Sequence, residues 1–211
     1  MAPKRRMGPE NAATRAVLMD AVEDVLREQG YAALSARTVA ARAGLKYQIV
    51  FYYFETMDDL ILATYRRLMQ LMWDALEPVL ESDRPLHNLW EIWSHPDNGA
   101  VWLEFMAIAN HNAVIRTEKI AFGAKMNKLI VEKLSGRFDN SPHKSITPFA
   151  ISTVIACIGG IMAFEEALGM EDVHSETRAM VKWTLDQLEP PRPIASKKAA
   201  AKAKRARKAR S

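Results

Sequence analysis

Apolar residues recur at helical spacing almost from the start of the chain. Val17, Leu18, Ala21, Val22, Val25 and Leu26 fall at i, i+1, i+4, i+5, i+8 and i+9, which is one face of a helix. The pattern predicts a helix from about Asn11 to Gln29, with Asn11 as its N-cap and Gly30 just past its end. Tyr31 and Leu34 then pack the connection back on the core. From Ser35 to Leu60 the period stops and restarts twice, in SARTVAARAGLKYQIVFYYFETMDDL. Ser35 can cap a short helix whose apolar side is Val39 and Ala43, and Ala40 and Ala41 are small enough for another helix to cross closely. Gly44 stands where that helix must stop, and glycine takes positive φ there without penalty. Leu45, Val50 and Phe54 supply a new apolar face, which leaves Lys46, Tyr47, Gln48, Ile49, Phe51 and Tyr52 to face outward.

That layout is a helix-turn-helix, whose second helix enters a DNA major groove. With the first helix it makes a three-helix unit over 11–57. Thr56-Met57-Asp58-Asp59 matches a capping box. It opens a long helix through Leu60, Ile61, Leu68, Leu71, Met72 and Leu76, ending near Pro78 or a turn beyond. A rigid rod starting beside the presumed reader is suited to carry movement from the body to it.

The body reads as further helices. Asp83 and Pro85 suggest a cap and first-turn proline, opening a helix through Leu89, Trp90 and Trp93 that His95-Pro96 ends. Asn98 is the expected cap of the next, with Trp102, Phe105, Met106 and Ala109 on one side. A helix over about 115–134 stops at Ser135-Gly136; Thr147-Pro148 starts the most apolar one, to about Leu168; the last runs over about 175–188. No strand alternation persists and no repeat is visible, so the fold class is all-α. The stretch Ile151–Phe164 is the longest membrane-span candidate, but Ser152, Thr153 and Gly159-Gly160 interrupt it.

Charge sharpens this picture. Residues 192–211 hold nine Lys or Arg and no acid, and residues 1–57 hold eight basic and six acidic residues. The total is +4, which leaves about −7 for residues 58–191. Basic ends on an acidic body suit a protein whose ends meet nucleic acid, although basic tails also merely solubilise. The expected organisation is a flexible N-terminal arm over 1–10, a helix-turn-helix unit over 11–57, a ligand-binding and dimerisation unit over 58–189, and a basic, disordered tail over 190–211. Cys157 is the only cysteine, which excludes an intramolecular disulfide and fits a reducing cytoplasm. No secretory signal is evident in MAPKRRMGPENAA.

The stretch TRAVLMDAVEDVLREQGYAALSARTVAARAGLKYQIVFYYFETMDDL resembles the N-terminal domain of the TetR (tetracycline-repressor-like) family of bacterial regulators. The spacing of Gly30, Ala40, Gly44, Phe54 and Leu60 carries the likeness. Several contact positions depart from it. Lys46 stands where the family usually has Ser or Thr, Gln48 where it often has a small residue, Phe51 for Tyr and Met57 for Lys. The last two replace a hydroxyl and an ammonium that typically bind phosphate, a loss of salt-dependent affinity that the basic tail is suited to offset. Carried over position by position, the resemblance implies that Tyr47, Gln48, Ile49 and Tyr52 face base edges. Gln48 can pair with adenine and Ile49 can touch a thymine methyl. Arg37 can reach a phosphate or a guanine, and Lys46 and Tyr53 face backbone phosphates. Phe51, without its hydroxyl, either joins this surface or turns inward.

The resemblance also implies a homodimer through the last two helices, 148–168 and 175–188, which form a four-helix bundle with their counterparts. Ser152, Ala156, Gly160, Ala163 and Ala167 make a stripe of small residues for close approach, and Met180, Trp183 and Leu188 add apolar anchors. Two recognition helices of a C2 dimer read half-sites roughly 34–36 Å apart, or multiples of it. For the body it implies a small, largely hydrophobic effector, acyl-like or aromatic, lined by some subset of Trp93, Trp102, Met106, Asn110, Phe122, Met126 and Met162.

Catalytic signatures are missing from the sequence: no G-x-S-x-G, no H-E-x-x-H, no P-loop and no dinucleotide fingerprint. The five histidines have no metal-ligand spacing, and Cys157 in an apolar helix reads as a packing residue. No enzyme activity, cofactor or metal is expected. The expectation is a cytoplasmic, nucleoid-associated, ligand-responsive regulator that binds double-stranded operator DNA, repression being the commoner outcome in the family. The rival is a helical-bundle small-molecule-binding protein without specific DNA binding.

Overall fold

Apolar side chains gather in two clusters, and the helices are arranged by which cluster each face joins. The computed structural model describes residues 9–137, 147–170 and 174–190; most of the expected N-terminal arm and nearly all of the basic tail lie outside them. Among the described residues the chain is helical, with no strand. The first cluster begins with α1 (Pro9–Gln29), which buries Leu18, Ala21, Val22 and Leu26. Against it pack Val39 and Ala40 of α2 (Ala36–Arg42), Val50 of α3 (Gln48–Tyr53), and Phe54. Leu60, Ile61, Tyr65 and Met69 of α4 (Met57–Glu81) continue the same cluster. So do Val101, Phe105, Ile108 and Ala109 of α6 (Pro96–His111) and Ile115 of α7 (Ala113–Leu134). The second cluster joins Leu76 and Leu80 of α4 to Leu86, Leu89 and Trp90 of α5 (Pro85–Trp93). Ile130 and Leu134 of α7, Ile155 and Met162 of α8 (Pro148–Ala167), and Val181 and Leu185 of α9 (Ser175–Leu188) complete it. Each buried Val, Leu, Ile, Phe or Met side chain contributes about 1.5–3 kcal/mol relative to exposure.

The helix starts follow local chemistry, not always the residue expected. Ser35 caps α2, its Oγ accepting from the Thr38 N–H at 3.1 Å. The Thr56–Asp59 capping box forms in full: the Asp59 N–H donates to Thr56 Oγ1 at 3.1 Å and the Thr56 N–H to Asp59 Oδ2 at 3.0 Å. Asn11 does not cap α1, which starts at Pro9; its Oδ1 instead accepts from the Tyr53 hydroxyl at 3.1 Å. Asn98 likewise lies inside α6, which starts at Pro96. A first-turn proline needs no partner for an N–H, so both helices extend past the expected polar cap. Asn112 is the cap of α7, accepting from the N–H groups of Val114 and Ile115 at 3.0 and 3.1 Å.

The start of α5 is capped from the far end of the chain, not by Asp83. Glu189, buried just after α9, accepts from the Leu86 N–H at 3.0 Å and the His87 N–H at 3.2 Å. His87 lies between two carboxylates, with Nδ1 3.0 Å from Glu189 Oε2 and Nε2 3.0 Å from Asp186 Oδ1. Lys182, Arg84 and His87 together hold the Asp186 carboxyl well below the usual carboxylate range. This polar latch fixes α9 to α5.

The small stripe of α8 works mainly within the chain. A Cβ on Gly99 of α6 would sit 2.5 Å from the backbone of Ala163 and Phe164, so α6 and α8 touch there. Gly159 is similarly close to Trp93 and Ser94 at the end of α5, at 3.0 Å. Ser152 and Ala163 are buried, and Ala156 and Gly160 line a cavity. α8 is, among the described residues, the helix long and apolar enough to cross a membrane, with mean hydropathy 1.7. Its contacts with α5 and α6 cover only one side of it, 28% of that apolar stretch being buried.

Two stability outcomes follow from these contacts. Gly99→Ala should lower stability by about 1–3 kcal/mol in urea unfolding, because a methyl has no room. Gly123→Ala in α7, where nothing lies within 4 Å, should raise it by up to about 1 kcal/mol through helix propensity. The latch sets an acid limb. A carboxyl whose pKa is lowered by folding adds stability that is present above its unfolded pKa and lost as pH falls below it. Asp186→Asn should therefore flatten the drop in melting temperature between about pH 5 and pH 2.

Candidate nucleic-acid interface and effector cavity

The reading helix is held from behind. Gly44 has φ +66°, which turns the chain between α2 and α3. Val50 and Phe54 are buried in the first cluster, and Arg15 of α1 lies over the Phe54 ring at 4.0 Å while donating from Nη1 to the Tyr53 carbonyl at 2.6 Å. Fixing this inner side presents the other. Lys46, Tyr47, Gln48, Phe51 and Tyr52 are all exposed. Phe51 is 50% exposed, so of its two possible positions it takes the outward one. Arg37 of α2 is exposed, with its guanidinium 5.9 Å from the Tyr47 ring, and so joins the same surface.

Three positions are less free than expected. Ile49 is half-buried against the first cluster. Tyr53 is half-buried, with its hydroxyl bonded to Asn11. Met57, in the position of the family's usual Lys, packs its thioether against the same core. Helix α4 is bolted to α1 by Arg67, which pairs with Glu23 and, at 2.7 Å, with Asp20. The reader and α4 are therefore one mechanical unit.

In the body, a cavity of about 350 Å³ opens among α5, α6, α7 and α8. Of the expected ligand residues, Trp93, Trp102, Met106 and Met126 line it together. Asn110 does not: it is exposed near the end of α6, its carbonyl accepting from Arg116 Nη2 at 2.5 Å. Phe122 faces a different cleft, edge-on to Trp73 at 6.3 Å between ring centroids. Met162 is buried in the second cluster. These three share helices with the lining residues but sit on other faces. Polar liners were missed, Lys119 and Asn127 of α7 and Ser152 and Thr153 of α8 among them. Lys119 Nζ lies 6.0 Å from the Trp102 ring, and Asn127 Oδ1 is buried without a partner. Their signal in the sequence is weak: Lys119, Met126 and Ile130 stand at i, i+7 and i+11, which places a lysine on an otherwise apolar face. Among the described residues no group of three His, Cys, Asp or Glu side chains is placed to hold a metal ion.

Comparison with known proteins agrees with this geometry. The family model for bacterial regulatory proteins of the tetR family matches residues 18–64, which run from α1 through the reader into α4. Over this stretch the chain is similar to the tetR family. It is 25% identical over 190 residues to an HTH-type transcriptional regulator in the dhlA 5′ region of Xanthobacter autotrophicus, covering 85% of this chain and 92% of that one. A TetR transcription regulator from Haloarcula marismortui has the same fold, with TM-score 0.59 and 21% identity over 90% of this chain and 98% of that one. So does the fatty acid degradation regulator FadR from Bacillus halodurans, with TM-score 0.63 and 17% identity over 89% and 99%. The departures at Lys46, Gln48 and Phe51 lie on the exposed surface and that at Met57 does not.

Inner and outer aromatics of the reader should respond differently to truncation. Phe51→Ala should change stability by no more than about 0.5 kcal/mol, whereas Phe54→Ala should cost about 3–5 kcal/mol in chemical unfolding.

Proposed function

We propose that this protein is a dimeric, ligand-gated repressor that binds operator DNA through α3 and releases it when a hydrophobic effector fills the α5–α8 cavity. The observation that carries the DNA reading is the exposed row of Lys46 and Tyr47, just before α3, and Gln48, Phe51 and Tyr52 on it, opposite the buried Val50 and Phe54. Tyr47, Gln48 and Tyr52 read base edges, Ile49 reaches a thymine methyl from its half-buried position, Arg37 meets a phosphate or a guanine, and Lys46 and Tyr53 hold the backbone. Phe51 meets the DNA surface as an apolar contact. The reading head spans 11–57 and the body 58–189. The work is done in the cytoplasm, on the nucleoid, with no cofactor.

Support for the dimer comes from apolar residues left exposed on α8 and α9. Val154, Ile161 and Leu168 are spaced by seven and exposed, and Met180 and Trp183 on α9 are exposed too. A row of this kind at heptad spacing is the pattern of a helix that meets another helix. Support for gating comes from α6. Trp102 and Met106 line the cavity, while Val101 and Phe105 of the same helix pack in the cluster that holds the reader. An effector that moves α6 therefore moves α4 and the spacing of the two heads. The apolar lining suits an acyl or aromatic ligand, and the likeness to a fatty acid degradation regulator is in keeping with the acyl choice.

The deciding experiment is selection of bound sequences from a random DNA pool with the full-length protein. A half-site motif repeated with two-fold symmetry is expected, and DNA binding that is independent of sequence at moderate salt leaves the rival binding-protein reading in its place. On the selected operator, Gln48→Ala should relax one position by about 1–3 kcal/mol. Deleting residues 192–211 should weaken binding and reduce the slope of log affinity against log salt. An effector found by release from this operator must bind more weakly in its presence, by the same factor.

A further inference from the structure

A second cleft, of about 400 Å³, lies between α4 and α7 and shares no lining residue with the α5–α8 cavity. Its chemistry is different. Tyr65 lines it and is only 1% exposed, yet its hydroxyl has no hydrogen-bond partner. A buried donor left unpaired is destabilising, so an acceptor is missing at this point. Burial, and then the nearby Glu118 charge, push the Tyr65 phenol up to about 12, which keeps it a neutral donor. Glu118 is itself engaged by Arg66, and the Gln70 amide donates to Asp74 at 2.7 Å. Lys125 is the remaining charge. Its Nζ sits 3.8 Å from the Trp73 ring centroid, and among the described residues no carboxylate pairs with it. Trp73 meets Phe122 edge-on across the cleft.

The cleft thus combines one buried neutral donor, one unpaired cation and two aromatic rings. A flat apolar body fits against the rings. An anionic end satisfies both the hydroxyl and the ammonium, and charge-assisted hydrogen bonds are the stronger kind. A cationic ligand would meet Lys125 and find Glu118 already paired. We propose that the α4–α7 cleft is a second ligand site, separate from the effector cavity, that takes a small aromatic carboxylate. Its carboxylate accepts from the Tyr65 hydroxyl and the Lys125 ammonium, and its ring packs on Trp73 and Phe122. Tyr65 also belongs to the cluster that holds the reader, so the cleft and the reading head meet at one side chain.

The test uses the full-length protein with 2-naphthoate as the probe and 2-naphthylmethanol as its uncharged match, followed by titration calorimetry. The acid should bind with a dissociation constant on the order of 1 mM or tighter. Tyr65→Phe and Lys125→Met should each weaken it about tenfold, and the alcohol should bind about tenfold less tightly than the acid. The binding component weakened by Tyr65→Phe and Lys125→Met should persist in Trp102→Leu, which alters only the lining of the other cavity. Tyr65→Phe keeps the ring and removes only the unpaired hydroxyl, so its melting temperature should not fall, and the binding comparison is made on a folded protein. Four results overturn the proposal: no acid binding in this range, equal binding of the alcohol, unchanged binding by Tyr65→Phe, or loss of that component in Trp102→Leu. Unchanged binding by Tyr65→Phe would mean that water, not a ligand, completes the hydroxyl.

Discussion

The packing of Tyr65 on Phe105 joins the parts of this molecule. Their rings lie 5.2 Å apart at a tilt of 54°, inside a cluster that also contains Val50 and Phe54 of the reading head. A three-helix head buries little surface by itself, and small units are hard to stabilise for that reason. Here α4 and α6 finish the head's core. The head consequently cannot shift as a body without α4 and α6 moving, because close-packed interiors transmit displacement and do not absorb it.

Each of these two helices is used on more than one side. α6 offers Val101, Phe105 and Ile108 to the head and Trp102, Leu103 and Met106 to the cavity. α4 gives Tyr65 and Met69 to both the head cluster and the α4–α7 cleft, and Leu76 and Leu80 to the second core. At its lower end the bundle is closed by polar chemistry. Glu189 caps α5 from the end of α9, a contact spanning 103 residues of sequence. Arg67 does comparable work at the upper end, tying α4 to Asp20 and Glu23 of α1. Apolar packing sets which helices meet, and these charged contacts set their register.

Local chemistry was legible from the residues alone. The Ser35 cap, the Gly44 turn, the Thr56–Asp59 box and the inward Val50 and Phe54 all depend on neighbours within a few positions, and each forms as read. The body was legible as helices but not as a site. A helix of Trp, Met and Phe has no sequence mark separating a side chain that lines a void from one that fills a core. Trp102 and Met162 are both bulky and apolar, yet one lines the cavity and the other is buried beside Ile155. Lys119 and Asn127 escaped notice because polar residues on a helix normally face water.

By itself, then, the sequence determined the all-α class, the order of the helices and the outward face of the reader. Those features rest on periodicity, capping and turn chemistry, which act over a few residues. The tertiary structure alone decided that Phe51 points out, that the small residues of α8 meet α5 and α6, and that Asn112 and Glu189 serve as caps. It also decided which aromatics line a cavity and which fill a core. Each of those outcomes depends on what a distant helix places opposite the residue, and no local pattern encodes that.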